Sequence, residues 1–165
     1  MYLGHLATGL AARRLSTPVP LVVLLIATVA VDLGDVALGI AGHASTGAYT
    51  HTLPAVLVWS AVAGVLASAA YGGRGGLVVG ALVALHLPLD YVTSTLDLWP
   101  HGPQLGLALY GARWVDLAIE SALLAIGVAL YRTTLPPGTR ASVSTAAMVV
   151  VLVALQVVFD VWIVV

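Results

Sequence analysis

The stretch from Thr52 to Tyr71 reads TLPAVLVWSAVAGVLASAAY and contains no acidic, basic or histidine side chain. It approaches the roughly 20 consecutive apolar residues that an α-helix needs to cross the hydrocarbon core of a bilayer. The stretch from Ala141 to Phe159 is equally free of charge. Both stretches therefore predict membrane-spanning helices.

The composition of the whole chain points the same way. Of its 165 residues, 61% are hydrophobic and only 8% are charged, whereas an average soluble domain has roughly 25% charged residues. The formal net charge of -1 leaves no basic face for a phosphate backbone, so we expect membrane lipid and no nucleic acid as a partner. The absence of cysteine excludes disulfides, thiolate metal ligands and cysteine nucleophiles.

Clusters of Gly, Pro, Ser and Thr divide the chain into apolar segments. The first, Tyr2 to Leu15, would be only about 20 Å long at 1.5 Å per residue, which predicts a half-spanning or interfacial helix. We therefore predict an all-α fold, a polytopic membrane helix bundle of five transmembrane helices plus this short N-terminal helix, with residues 1–165 as a single integral membrane domain. The five predicted spans are Val19–Ile40, Leu53–Tyr71, Gly75–Thr95, Val115–Tyr131 and Ser142–Val165.

The arginines predict how this bundle is oriented. Strict alternation of the five spans leaves only Arg113 on one side of the membrane. Arginine-rich connections normally face the cytoplasm, so the predicted location is the cell inner membrane, multi-pass, with the Arg113 side extracytoplasmic. The arginines on the cytoplasmic side are Arg13, Arg14, Arg74, Arg132 and Arg140.

Three of the predicted helices each carry two ionisable side chains spaced so that both lie on one helix face. Such side chains cost a few kcal/mol each within a membrane and normally face a bundle interior or an aqueous cavity, where they serve a function. Crowded carboxylates repel one another in a low dielectric, and a divalent cation keeps them ionised together. The pairs are Asp32 with Asp35, His86 with Asp90, and Asp116 with Glu120.

Two histidines can join these pairs, because His51 precedes the second span and His5 lies in the short first helix. We predict a metal site near the extracytoplasmic face, with zinc or manganese as the expected ion and iron also compatible, since imidazole and carboxylate suit these metals. A structural role, such as an interhelical hydrogen bond or a helix cap, is the alternative for each ligand. The predicted ligands are His5, Asp32, His51, His86 and Asp90.

Five short motifs follow one another between residue 4 and about residue 110. They are Gly4-His5, Val31-Asp32-Leu33-Gly34-Asp35, Thr50-His51-Thr52-Leu53, His86-Leu87-Pro88-Leu89-Asp90 and Trp99-Pro100. Their order and spacing resemble those of the bacterial membrane-bound metal-dependent hydrolases, the YdjM-like family. This resemblance implies a helical membrane hydrolase whose metal is held by the histidines and aspartates of these motifs.

The chain departs from the family pattern at one turn. The family usually reads Asp-x-Asp-His there, whereas this chain has Gly34 and Asp35 at the last two positions. The helical His-x-x-x-Asp also resembles, more distantly, the zinc-dependent phospholipases C, which carry a later His-x-x-x-Glu. The sequence from Asp116 to Glu120 corresponds to that later motif, with Asp in place of His.

We interpret the chain as a membrane-embedded metal-dependent hydrolase that acts on a lipid or lipid-linked ester or phosphoester at the outer face of the inner membrane. Asp35 and Glu120 are the candidate catalytic bases. A serine nucleophile elbow is absent from the sequence, which disfavours covalent catalysis. Two alternatives stay open: a transporter or proton- or cation-conducting protein that uses the same side chains, and a catalytically inactive membrane subunit.

Overall fold

The computed structural model describes residues 2–16, 18–44, 46–139 and 143–158. Most of this part of the chain is helical, which confirms the predicted helical class; the exception is a small antiparallel hairpin of strands β1 (Leu96–Asp97) and β2 (Gln104–Leu105). A 3-10 helix, Leu109–Ala112, follows the hairpin. The helices are α1 (Tyr2–Ala12), α2 (Leu21–Thr28), α3 (Ala30–Ile40), α4 (Gly47–Thr50), α5 (Leu53–Thr93), α6 (Arg113–Arg132) and α7 (Val143–Val158).

Two helical runs are long and apolar enough to cross a membrane: α5, and the run Leu109–Arg132 that includes α6. A third candidate arises if α2 and α3, which meet at an angle of 62°, form one broken span. The structure therefore supports two or three candidate spans by length and composition. The predicted count of five spans plus a half-spanning helix is not supported.

The count differs because apolar composition does not reveal where helices break or join. The predicted span Val19–Ile40 is interrupted at Val29, whose φ of -116° and ψ of 11° are not helical. The predicted span Leu53–Tyr71 falls within α5, and so does Gly75–Thr95 except for its last two residues. Of Ser142–Val165, only the 16-residue α7 belongs to the described residues, and the rest of that prediction lies outside them.

Helix α5 reverses its direction at Gly72, whose φ of 77° and ψ of 167° lie outside the helical region and favour glycine. Across this point the Ser60 hydroxyl donates a hydrogen bond of 2.7 Å to the backbone oxygen of Gly80, 20 residues away. A straight helix would separate these residues by about 30 Å. We call residues 53–71 the outward arm and residues 73–93 the return arm, and the two arms lie antiparallel.

Small residues allow the two arms to touch. A Cβ atom added to Gly64 would lie 3.3 Å from the backbone oxygen of Gly76, and one added to Gly80 would lie 3.1 Å from that of Ser60. A Cβ atom at Gly76 would overlap the Ser68 hydroxyl and the Gly64 carbonyl. Serine or glycine at every fourth position is the pattern by which membrane helices approach closely.

The reversal brings both ends of α5 to the same end of the molecule. The backbone N–H of Leu53 donates a 2.9 Å hydrogen bond to the carbonyl of Leu98, next to the β-hairpin. Nearby, the Trp59 ring covers Gly34, where a Cβ atom would lie 2.7 Å from the ring carbon Cζ2. The indole therefore occupies the space that the family's aspartate side chain would need at position 34.

Helix α1 is held against α6 by two kinds of contact. Leu3 and Leu10 are buried with Leu124 and Val128 of α6 in one apolar cluster. The buried carboxylate of Glu120 accepts hydrogen bonds from the backbone N–H groups of Leu3, at 2.8 Å, and Gly4, at 3.2 Å. These N–H groups belong to the first turn of α1, where helices lack internal acceptors and favour negative charge.

The substitution Gly76→Ala is expected to destabilise the α5 hairpin, because the new methyl group would overlap Ser68 and Gly64. Overpacking of this kind costs about 1–3 kcal/mol. The matched control is Gly73→Ala in the same arm, where no heavy atom lies within 4 Å of the added Cβ. Thermal unfolding in mild detergent should give a lower midpoint for G76A only. Equal midpoints for both variants would contradict the close contact of the arms.

Candidate metal centre

Four ionisable side chains meet where α3, α4 and the return arm come together. Asp32, His51, His86 and Asp90 each offer one ligand atom, and these atoms all lie within 4.8 Å of one another. We call them the four-residue cluster. They are four of the five ligands predicted from the sequence, and the structure shows that they can hold a metal ion.

The imidazole Nε2 atoms and the carboxylate oxygens face one another in this cluster. Nε2 of His86 lies 3.0 Å from Oδ2 of Asp90 and 3.4 Å from Oδ1 of Asp32. Nε2 of His51 lies 3.2 Å from the same Asp32 oxygen and 3.7 Å from the same Asp90 oxygen. Each nitrogen is therefore close to both carboxylates, which is the arrangement of ligands around a common centre.

The hydrogen bond on the far side of the His86 ring fixes which nitrogen is protonated. Nδ1 of His86 lies 2.9 Å from the carbonyl oxygen of Thr28, at the end of α2. Because a carbonyl only accepts, Nδ1 carries the hydrogen, and in neutral imidazole Nε2 then presents a lone pair. The break at Val29 directly follows Thr28, so this carbonyl is available to the imidazole instead of to a continuing helix.

Nε2 of His86 is buried and makes no hydrogen bond with the described residues, although an Asp90 oxygen lies only 3.0 Å away. The distance is short, but the direction is not that of an N–H donating to this oxygen. A metal-binding histidine typically donates its other ring N–H to a carbonyl and directs its lone pair at the ion. The donor set and geometry of His86 fit that role.

His51 is oriented by a chain of polar groups. Its Nδ1 lies 2.8 Å from the Thr50 hydroxyl, which lies 2.8 Å from Oδ1 of Asp35 and 3.0 Å from the carbonyl oxygen of Thr46. The hydroxyl has one hydrogen to donate to these acceptors, so it accepts the N–H of His51. Nε2 of His51 lies in hydrogen-bond geometry with Oδ1 of Asp32, at 3.2 Å. Because the carboxylate only accepts, Nε2 donates in this arrangement and would have to lose this hydrogen to bind a metal. Thr50 belongs to one of the five sequence motifs, but sequence spacing alone does not indicate this contact.

The charges of the cluster also favour a cation. Two ionised carboxylates and two neutral imidazoles carry a net charge of about -2, which a divalent ion balances. The alternative is that both imidazoles are protonated and pair with the carboxylates. The hydrogen-bond direction at His86 argues against that alternative there.

His5, the fifth predicted ligand, contacts the cluster from the side of α1. Its ring centroid lies 4.1 Å from that of His86, and its Nε2 lies 3.5 Å from Oδ1 of Asp90. The other oxygen of Asp90, Oδ2, is the one that faces His86 and His51. Nε2 of His5 also lies 3.3 Å from the backbone oxygen of His86, in hydrogen-bond geometry, so His5 contacts both this carbonyl and Asp90. Its assignment as a direct ligand stays a prediction.

The two predicted catalytic carboxylates occupy different surroundings. Asp35 is partly exposed, with 35% of its side chain accessible, and its Oδ1 lies 3.9 Å from Nδ1 of His51. Glu120 is fully buried and uses Oε2 to hold the start of α1. Asp116, one turn before Glu120 on α6, is buried as well. The catalytic role of Asp35 and Glu120 stays a prediction.

A polar cavity of about 390 Å³ opens beside the cluster. His51 lines this cavity and is also a member of the cluster. A molecule in the cavity would therefore lie next to a side chain of the candidate metal site. The residues opposite come from the β-hairpin and its turn: Asp97, His101 and Gln104.

No protein-family model, curated protein or solved structure matches the chain. The resemblance to the membrane-bound metal-dependent hydrolases therefore rests on the five motifs, and function has to be argued from the geometry of the site.

Removing one ligand is expected to abolish stable metal binding. His86→Ala and Asp90→Ala each delete one of the four converging ligand atoms, and the affinity should fall by more than about 100-fold, beyond the loss typical of outer hydrogen-bond partners. The measurement is mass spectrometry of metals in protein purified without chelator. His43→Ala is the control, because His43 is exposed and outside the cluster. Wild-type protein that neither retains nor takes up metal would refute the site.

The variant Thr50→Val tests the orientation of His51 with little change of shape. It removes the hydroxyl between Asp35 and His51, and we expect about 10- to 100-fold weaker metal binding with unchanged stoichiometry. Thr134→Val is the control, since its hydroxyl bonds the carbonyl of Tyr131 at 2.7 Å, away from the cluster. Equal metal affinity of T50V and wild type would show that this chain of contacts does not position the ligand.

Proposed function

We propose that this protein is a membrane-embedded metal-dependent hydrolase, with the ion held by the four-residue cluster. The observation that supports this most is the convergence of two imidazole nitrogens and two carboxylate oxygens next to a polar cavity. Catalytic metal sites keep one position open to water or substrate, and the cavity beside His51 offers the approach. The mixture of nitrogen and oxygen donors makes zinc or manganese the expected ion.

A divalent ion at this position activates a water molecule and polarises a phosphoryl or acyl oxygen. The protein contributes the orientation: Thr28 and Thr50 hold the two histidines, and His5 lies against Asp90 and the backbone oxygen of His86. Asp35 is the better candidate for the general base, because it is partly exposed beside His51 and can receive a proton from water. Glu120 is buried and already binds the first turn of α1.

A lipid or lipid-linked phosphoester is the proposed substrate, because the site lies where a membrane interface is expected. Tyr49, Trp99 and Trp114 are exposed at this end of the molecule, and exposed aromatic rings favour the headgroup region. We place both arms of α5 across the membrane. The turn with Arg74 then lies about 24 Å along the return arm from Asp90, on the cytoplasmic side, and the site faces the extracytoplasmic side.

The same four side chains can also bind a transported cation or relay protons. Conduction would need polar groups along the remaining length of the arms. Among the described residues, the side-chain hydrogen bond between the arms there is that of Ser60 with the Gly80 carbonyl, and the other contacts are with glycine and apolar side chains. The third possibility is an inactive membrane subunit that keeps the scaffold without the chemistry, and activity measurements separate the three.

We expect the reconstituted, metal-loaded protein to release a water-soluble phosphorylated product from phospholipid vesicles, with activity lost on chelation and restored by metal. Asp35→Asn should lower the rate by about 10²- to 10⁴-fold, the usual contribution of a general base, with metal still bound. Glu120→Gln keeps an oxygen acceptor for α1 and serves as the matched control.

Each other result points to a different function. Fatty acid release would indicate an acyl ester substrate, and loss of activity in E120Q alone would make Glu120 the base. Metal-dependent proton or cation flux without turnover would indicate a conducting protein. Bound metal without either activity would indicate an inactive subunit.

A further inference from the structure

The polar cavity beside His51 shares a wall with an apolar groove. Ala48, Thr52 and Pro100 line both the cavity and the groove, which has a volume of about 320 Å³. The groove continues along the first turns of the outward arm, past Val58 and Trp59. A polar compartment that adjoins an apolar one matches a ligand with a polar head and an apolar tail.

The charge of the cavity restricts the kind of polar head. Among the described residues that line it, Asp97 is the only one with a formal charge at neutral pH, and none is arginine or lysine. An anionic headgroup would find no cationic side chain in this wall, whereas an ammonium group can pair with the Asp97 carboxylate. His101 and Gln104 add hydrogen-bonding groups that suit the remaining polar atoms of a headgroup.

The backbone at His101 gives an independent reason to assign it a role. The Gly102 N–H donates a 2.7 Å hydrogen bond to the Trp99 carbonyl, and His101 has a φ of 61° after Pro100. Proline followed by a residue of positive φ is the pattern of a type II turn, whose third position favours glycine. A histidine held in this unfavourable conformation, with its side chain at the cavity, is typical of a functional position.

We propose that the cavity and the groove together bind a phospholipid whose headgroup carries an ammonium ion. Asp97 pairs with the ammonium, His101 and Gln104 contact the polar atoms beside it, and the groove along the outward arm takes the start of an acyl chain. The placement of the phosphodiester at the four-residue cluster rests on the proposed function. The preference for an ammonium headgroup does not depend on turnover.

Two soluble phosphodiesters test this preference, because one carries an ammonium group where the other carries a neutral diol: glycerophosphoethanolamine and glycerophosphoglycerol. Calorimetric titration into the full-length protein in mild nonionic detergent should show about 3- to 10-fold tighter binding of the ethanolamine compound. Asp97→Asn should bring the ratio to about one. Arg113→Gln, an exposed charge outside the cavity wall, is the control and should leave the ratio unchanged.

Equal affinity of wild-type protein for the two compounds, or an unchanged ratio in D97N, would overturn this proposal. In nanodiscs, ethanolamine phospholipid should displace the soluble compound more strongly than glycerol phospholipid does. Displacement that is equal for the two lipids would overturn the lipid assignment and leave only a soluble ligand. Protein that shows the preference but binds no metal would overturn the proposed hydrolase function and support the headgroup site.

His101→Gly separates a binding role from a structural one. Glycine adopts the backbone conformation of the turn more readily, so the unfolding midpoint should stay equal or rise. The preference for the ethanolamine compound should fall. A lower midpoint with an unchanged preference would show that His101 serves the turn and not the ligand.

Discussion

The close antiparallel contact between the two arms of α5 determines where everything else in this molecule can lie. If α5 were a straight helix, its first residue, Leu53, and Asp90 would be about 55 Å apart at 1.5 Å per residue. The reversal at Gly72 and the contact of Ser60 with Gly80 place His51, which immediately precedes α5, 3.7 Å from a carboxylate oxygen of Asp90. Small residues spaced along the two arms, which carry no reactive group except the serine hydroxyls, therefore bring the candidate metal ligands together.

The second determinant is the break between α2 and α3. A bend of 62° interrupts an apolar stretch that is otherwise suited to one continuous span. It releases the Thr28 carbonyl to His86 and turns Asp32 of α3 towards both histidines. Breaking a helix in an apolar environment is costly because backbone groups lose their partners, and here a side chain at the site satisfies one of them. The bend between α2 and α3 therefore provides a hydrogen-bond acceptor for the candidate metal centre, and His86 in turn satisfies the carbonyl that the bend leaves without a helical partner.

Sequence spacing predicts those contacts that join residues close together along the chain, and it does not predict those that join distant residues. The pairing of His86 with Asp90 depends only on helical spacing, and the structure contains the predicted pair. The helix predicted between Val115 and Tyr131 follows from its apolar run, and it lies within α6. The contacts of Glu120 with Leu3 and Gly4 join residues more than 100 positions apart, and no periodicity reveals such a pair. The number of membrane spans could not be derived from the sequence. Apolar composition indicates that a segment lies in an apolar environment, but it does not show where the helix breaks or reverses. The bridging role of Thr50 depends on its exact distance to Asp35 and His51, which spacing alone does not specify.

The contacts of His86 favour a site built around an ion over a buried salt bridge at this histidine. Each histidine has a polar partner at Nδ1, and these partners come from different elements, the end of α2 and the end of α4. In an imidazolium–carboxylate pair, the energy would come from an N–H aimed at an oxygen, and the buried Nε2 of His86 lacks such a bond among the described residues although Asp90 is 3.0 Å away. A divalent ion held by the cluster would take the Nε2 lone pair of His86 and balance the two carboxylates, whereas Nε2 of His51 already lies in hydrogen-bond geometry with Oδ1 of Asp32, at 3.2 Å. The unsatisfied nitrogen is thus best explained as a candidate ligand atom, and the polar cavity beside His51 gives access to this part of the cluster.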